Sequence, residues 1–396
     1  MNTIPYTLFK FSLLILLLYS MFAWFLWGLI PIQVIFLNVI FSGVFFFSSI
    51  NLFSLNKSNL ISIIFLISIQ LYVVMDLNAN GMIIAMLHAA ILSCVLLLKD
   101  KIKIDLFNFF TCSFSIILSI SIFTWILFLI GISLPNYSID FNNGNYYYYN
   151  YYFFLLNYAD IDLPIPRFSS IFLEPGHLGM ITSFLLYANQ FDFKRKEVWI
   201  LFVATLLTFS LAAYVLLLLS VLILAFFKSK RPMLNLLLLL AFLFAFYSYF
   251  SILDNGDNVV NNLILERLQV NDGEVSGNNR SSAELDIYFE QFINSTNAFF
   301  GIGPTKYTDL FSGIGTGNAG YKVFISTYGL IGTTLLFILY IAITSYNPSK
   351  LSIMLLIIYI FSFLQRAYAL WDVELLIFIT ALPALSLNSN NKTYVK

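Results

Sequence analysis

Runs of about twenty apolar residues recur along almost the whole chain, and each is long enough to cross a hydrocarbon core. This periodic apolarity restricts the backbone severely. In lipid every peptide group must find its partner inside the protein, which leaves helices or a closed barrel. The runs are too long and too little alternating for barrel strands. Composition agrees: of 396 residues, 60% are hydrophobic and only 10% charged, with a mean hydropathy of +0.87. The expected fold class is an all-α polytopic membrane protein in one integral-membrane domain over residues 1–396.

The runs predict spans at about 8–29, 32–50, 59–76, 81–98, 106–131, 171–189, 232–251, 319–342, 349–364 and 373–387. Pro31 divides the first two. The first run lacks an Ala-x-Ala cleavage signal and is expected to stay as a helix. The stretch 198–227 is different. As a single helix it would be roughly 45 Å long, and it is flanked by FDFKRKE and KSKR. Short basic loops favour the cytoplasm. Placing both flanks inside requires the stretch to go out and return as two short helices turning near Ser210. That yields about twelve passes, with both termini cytoplasmic. Of the twenty Lys and Arg residues, fourteen then lie inside. Only Arg167, Arg267, Arg280, Lys306, Lys322 and Arg366 lie outside.

Two loops are expected to face outward, 132–170 and 252–318. The first carries NYYYYNYYFF, suited to an aromatic belt. The second is the one sizeable polar region, and it is expected to pack over the helices rather than fold alone. Net charge is zero, and no basic stripe points to nucleic acid. Cys94 and Cys112 sit in apolar runs on either side of a basic loop, so core packing is expected rather than a disulfide or metal pair. No acidic cluster resembles a metal site. His88, in LHAAILS, is expected to be a satisfied core residue.

The polar residues that matter most lie at the mouth of one apolar run, in RFSSIFLEPGHLG, residues 167–179. Pro175 suits a helix start, which makes Glu174 the cap, facing unpaired amides and the positive helix end. His177, three residues on, shares a face with Glu174. Arg167 stands just outside, after Pro164 and Pro166. An ion pair between Arg167 and Glu174, with His177 merely packed, is the structural alternative. Intramembrane charges more often mark a functional interior. In the large loop, Arg280 offers a guanidinium suited to phosphate oxygens; Arg267 and Lys306 are candidates of the same kind, and Arg267 is expected to be a solvated charge. Arg366, in FLQRAYALWD, can anchor the interface, pair with Asp372 or face an outer cavity. Tyr214 and Ser210 can fill the turn or line a cavity.

Taken in order, RFSSIFLEPGHLG, LLTFSLAAYVLLLL (206–219), NNRSSAELD (278–286), FFGIGP (299–304) and GNAGYKVFISTYGLIGTTLL (317–336) resemble the O-antigen polymerase and ligase superfamily. The likeness is closer to the polysaccharide repeat-unit polymerases and covers most of the chain. Two positions depart from the pattern. Ser210-Leu211 stands where many relatives have Ser-Arg, and Asn318 stands in the area where ligases often carry a histidine.

The resemblance implies glycosyl transfer on the outer side of a bacterial cytoplasmic membrane, by an inverting and metal-independent reaction without a cofactor. Its substrates would be undecaprenyl-pyrophosphate-linked glycans, and it admits a chain-length regulator as a partner. Glu174, His177 and Arg280 would be catalytic. Arg167, Arg366, Tyr214 and Asn318 would bind substrate. A ligase and a lipid-linked oligosaccharide flippase are the alternatives.

Overall fold

The computed structural model describes residues 3–74, 79–141, 146–229, 231–266, 270–271, 274–275, 282–311, 319–366 and 368–390. Its helices are α1 (Thr3–Ser20), α2 (Pro31–Ser48), α3 (Lys57–Tyr72), α4 (Ala79–Leu97), α5 (Asp100–Leu129), α6 (Pro175–Ala188) and α7 (Lys196–Leu207), followed by α8 (Leu211–Lys228), α9 (Pro232–Ile252), α10 (Ala283–Ile293), α11 (Pro304–Phe311), α12 (Gly320–Tyr346), α13 (Lys350–Gln365) and α14 (Asp372–Asn390). Among the described residues, five helices are long and apolar enough to cross a membrane: Pro31–Ser48, Asn80–Leu97, Asp100–Leu129, Pro232–Asn255 and Gly320–Tyr346. About twelve passes were expected. Part of the difference is length. With 14 and 12 residues, α6 and α7 reach only roughly 21 and 18 Å, against a hydrocarbon core of about 30 Å.

The fold is predominantly helical but not wholly so. Strands β1 (Tyr137–Phe141), β2 (Tyr146–Asn150) and β3 (Leu155–Asn157) form an antiparallel sheet in the loop 132–170. A two-residue pair, β4 (Val270–Asn271) and β5 (Glu274–Val275), lies in the second loop. The first apolar run also ends earlier than expected. α1 stops at Ser20, and a short 3-10 turn at Trp24–Leu26 precedes Pro31.

The chain forms two compact units, one of Met1–Thr111 with Arg280–Lys396 and the other of Cys112–Asn279. In the first, α1 packs on α2 and α14, α3 lies against α4 and α12, and α13 joins α12 to α14. Aromatic rings fill its interior: Phe9 stacks on Phe45 at 4.6 Å and Tyr340 on Tyr359 at 3.8 Å. Asn56 caps α3 by accepting the Asn59 amide at 2.8 Å. Two turns at one end are joined by backbone bonds. The Ser54 amide donates to Leu97 O at 2.8 Å, and the Lys99 amide to Leu52 O at 3.0 Å.

α12 is broken at Gly329, whose φ of +67° and ψ of −176° are not helical. The segment FFGIG (299–303) fills the break. Ile302 and Gly303 amides donate to Ser326 O and Thr327 O at 3.0 and 2.9 Å, and the Ile331 amide donates to Phe299 O at 3.0 Å. These bonds satisfy groups that a helix break in an apolar setting would otherwise orphan. The segment before α12 is also tied to it by an ion pair of Asp286 of α10 with Lys322 of α12.

In the second unit, α6 is buried over its whole length and packs on both α7 and α8. The 198–227 stretch breaks at 208–210, as its flanking charges predicted. Phe209 takes a positive φ of 47°, and Ser210 caps α8 by accepting the Ala213 amide at 3.4 Å. The helix breaks there, and α6 packs on both arms. Gly179 permits the approach: a Cβ there would lie 2.5 Å from Ala213 Cβ and 3.0 Å from Thr208 Oγ1. Thr182 and Thr205 hydroxyls meet at 2.7 Å across the same contact. α9 has no buried residue. An all-round apolar helix with that exposure suits lipid contact.

Candidate functional site

The start of α6 is built by three pieces of the second unit. Pro175 occupies its first turn and Glu174 its cap position, with φ −134° and ψ 141°. The approach segment is held on both sides. Phe168 donates its amide to Leu207 O at 3.0 Å, and the Leu155 amide of β3 donates to Ser170 O at 2.8 Å. Ser170 adopts a φ of +55°, and its hydroxyl lies 2.7 Å from that of Ser121. Phe172 stacks on Phe114, and Phe168 packs edge-on against Trp125. The backbone entering α6 is therefore fixed before the helix begins.

Glu174 makes no side-chain cap bond. Its Oε2 lies 3.6 Å from His177 Nε2, where the imidazole is 1% and the carboxylate 22% exposed. The carboxylate thus forgoes the amides an N-cap ordinarily serves and faces the imidazole. Tyr148, buried on β2, donates its hydroxyl to Leu173 O at 2.7 Å. Burial, then the charge of Glu174, keeps that phenol above its ordinary range, so it stays a neutral donor. The expected alternative pairing of Arg167 with Glu174 does not form among the described residues. Arg167 Nε is buried without a hydrogen-bond partner among them. Its charge instead acts on Tyr214, whose hydroxyl donates to Leu206 O at 2.5 Å. The 206–210 turn connects these groups, since it holds Phe168 through Leu207 and packs on α6 through Thr208.

Arg366 occupies a different place, in the first unit. It ends α13 in an extended conformation and is buried. Its partner corrects one expectation: Asp372 pairs with His88, and Arg366 acts on Glu374. Glu374 is buried and hydrogen-bonded to Tyr359, while Arg366 also lies 5.6 Å from the Tyr368 ring. His88 is a satisfied residue, as its apolar surroundings suggested. Arg280 and Asn318, together with Arg267, lie outside the described residues. Lys306 is exposed on α11. No group of three metal-ligating side chains occurs among the described residues.

Sequence reasoning brought Glu174 and His177 together and placed Arg167 and Tyr214 on one chain segment each, without linking them. It missed Tyr148 and Glu374. Tyr148 sits on the buried side of β2, where burial alternates along 146–150, but the run of tyrosines carries no such alternation in sequence and was assigned to interface anchoring. Glu374 was legible only as an acid two residues after Asp372. Chemically, the α6 start can hold or accept a proton at a carboxylate–imidazole pair. No family model, curated protein or solved structure matches the chain.

Proposed function

We propose that this protein is a membrane glycosyltransferase that polymerises undecaprenyl-pyrophosphate-linked oligosaccharide repeat units, for O-antigen, capsule or exopolysaccharide. The observation that carries the proposal is the buried His177 facing a cap carboxylate that is not capping. In the reaction, a sugar hydroxyl of one lipid-linked unit attacks the anomeric carbon of the growing chain. The bond from that carbon to the pyrophosphate oxygen breaks with inversion, and the lipid pyrophosphate leaves. The hydroxyl proton passes to Glu174 or His177. The resemblance assigns to Arg280 the stabilisation of the charge that develops on the leaving group. The chain crosses a bacterial cytoplasmic membrane about twelve times, with both termini inside and loops 132–170 and 252–318 outside.

The test uses purified protein in proteoliposomes with a lipid-linked repeat unit. A ladder of products with many repeats is expected. Arg280→Ala should abolish the ladder, and Arg280→Lys should restore it poorly, since a point charge does not copy a guanidinium fork. Movement of single units across the bilayer without elongation would identify a flippase. Transfer only to a different acceptor would identify a ligase.

A further inference from the structure

Between α2 and α4 the first unit carries an open-sided slot of about 330 Å³, within the range of small-ligand sites, roughly 300–1,000 Å³. Ser42, Gly43, Ala90 and Cys94 line it, with Phe46 and Leu97 at one end. Small side chains on facing helices ordinarily let backbones close up. Ser42 and Cys94 do so, with Cys94 Sγ donating to Ser42 O at 4.0 Å, but beside them a Cβ added at Gly43 would meet nothing within 4 Å. Gly43 leaves space open next to that contact.

Two further features describe what fits that space. Ser42 is 5% exposed, and its hydroxyl has no hydrogen-bond partner among the described residues. It lies six residues before the end of α2, roughly 9 Å along the helix from that end. Beyond Leu97, at the same end, the joined turns carry Lys57, Lys99 and Lys101. All three are exposed, and none makes an ion pair among the described residues. The acids nearby are engaged elsewhere: Asp105 takes Lys10 and Tyr6, and Asp100 accepts from Asn347 at 3.4 Å.

We propose that this slot is a specific seat for an anionic glycerophospholipid. One acyl chain lies between α2 and α4, an ester carbonyl accepts from the Ser42 hydroxyl, and the phosphate sits among Lys57, Lys99 and Lys101. Charge complementarity at the rim selects an anionic headgroup, and the apolar slot selects a lipid over a free phosphate. The proposal stands independently of the glycosyltransferase reading.

Native mass spectrometry of the detergent-purified full chain tests it, with phosphatidylglycerol and phosphatidylcholine of matched acyl chains added at equal concentration. Wild type should retain phosphatidylglycerol with a preference of about fivefold or more, and free glycerol phosphate should not displace it. Replacing Lys57, Lys99 and Lys101 together by Gln should remove the preference while leaving chain binding. Gly43→Leu fills open space and should lower retention of both lipids; Ala90→Leu, at an exposed position of the same slot, is the second filling variant should the first fold poorly. Equal retention of the two lipids by wild type would overturn the proposal. So would undiminished phosphatidylglycerol retention in a filled-slot variant that elutes as a monodisperse protein.

Discussion

Glu174 stands where a carboxylate ordinarily serves its own helix, yet its side chain turns to His177. The usual side-chain caps are Ser, Thr, Asp and Asn, and Glu174 makes no such bond. His177 is buried, and Tyr148 holds the preceding carbonyl; the proposed function makes this pair the proton acceptor. Glu174→Gln keeps size and removes the charge; His177→Gln keeps polarity and removes the titrating ring. For the residue that takes the proton, turnover of lipid-linked units should fall about 10²-fold or more, with binding of the lipid substrate retained. Wild-type rates for both variants between about pH 6 and 9 would make this edge structural. The pair was legible because three-residue spacing on a helix is a fixed geometry. Tyr148 was not, because its partner is a backbone carbonyl 25 positions away, and no spacing encodes that.

At the scale of elements, the break in α12 and the 299–303 segment form one unit of structure. Gly301 and Gly329 approach so closely that a Cβ on Gly329 would lie 2.4 Å from Phe299 O. The Gly329 φ of +67° with an extended ψ is a conformation essentially restricted to glycine. Gly329→Ala should therefore destabilise the protein by about 2–4 kcal/mol, seen as a lowered thermal midpoint in detergent. Gly28→Ala, where nothing lies within 4 Å, serves as the neutral comparison. An unchanged midpoint for Gly329→Ala would mean that the break is not maintained. Glycines in FFGIGP and STYGLIG advertise unusual backbone, but which carbonyls they free and which amides answer is decided by docking. The α7–α8 break was more accessible to sequence reasoning, since basic clusters on both sides constrain where the ends of 198–227 can be.

For the whole molecule, orientation is the property most open to test. With Cys94 and Cys112 replaced, single cysteines at the exposed positions Tyr147 and Ile287 should react with an impermeant thiol reagent in intact spheroplasts, whereas one at Arg231 should react only after lysis. The reverse pattern would invert the orientation. The charge distribution motivates this prediction, because Lys and Arg near span ends resist translocation.

Apolar run length and the scarcity of charge were enough to predict a mostly helical chain with helices suited to a membrane, since lipid offers the backbone no partners and the remedy must lie within each segment. The boundaries of most helices followed from the same runs, with Pro31, Pro175 and Pro232 each at a helix start. What only tertiary structure decided was the pairing of distant polar groups, Glu374 rather than Asp372 beside Arg366 and Tyr214 beside Arg167, and the sheet within the 132–170 loop. These depend on which surfaces pack together. A buried charge or hydroxyl takes whichever partner packing brings within reach, and its neighbours in sequence do not specify that partner.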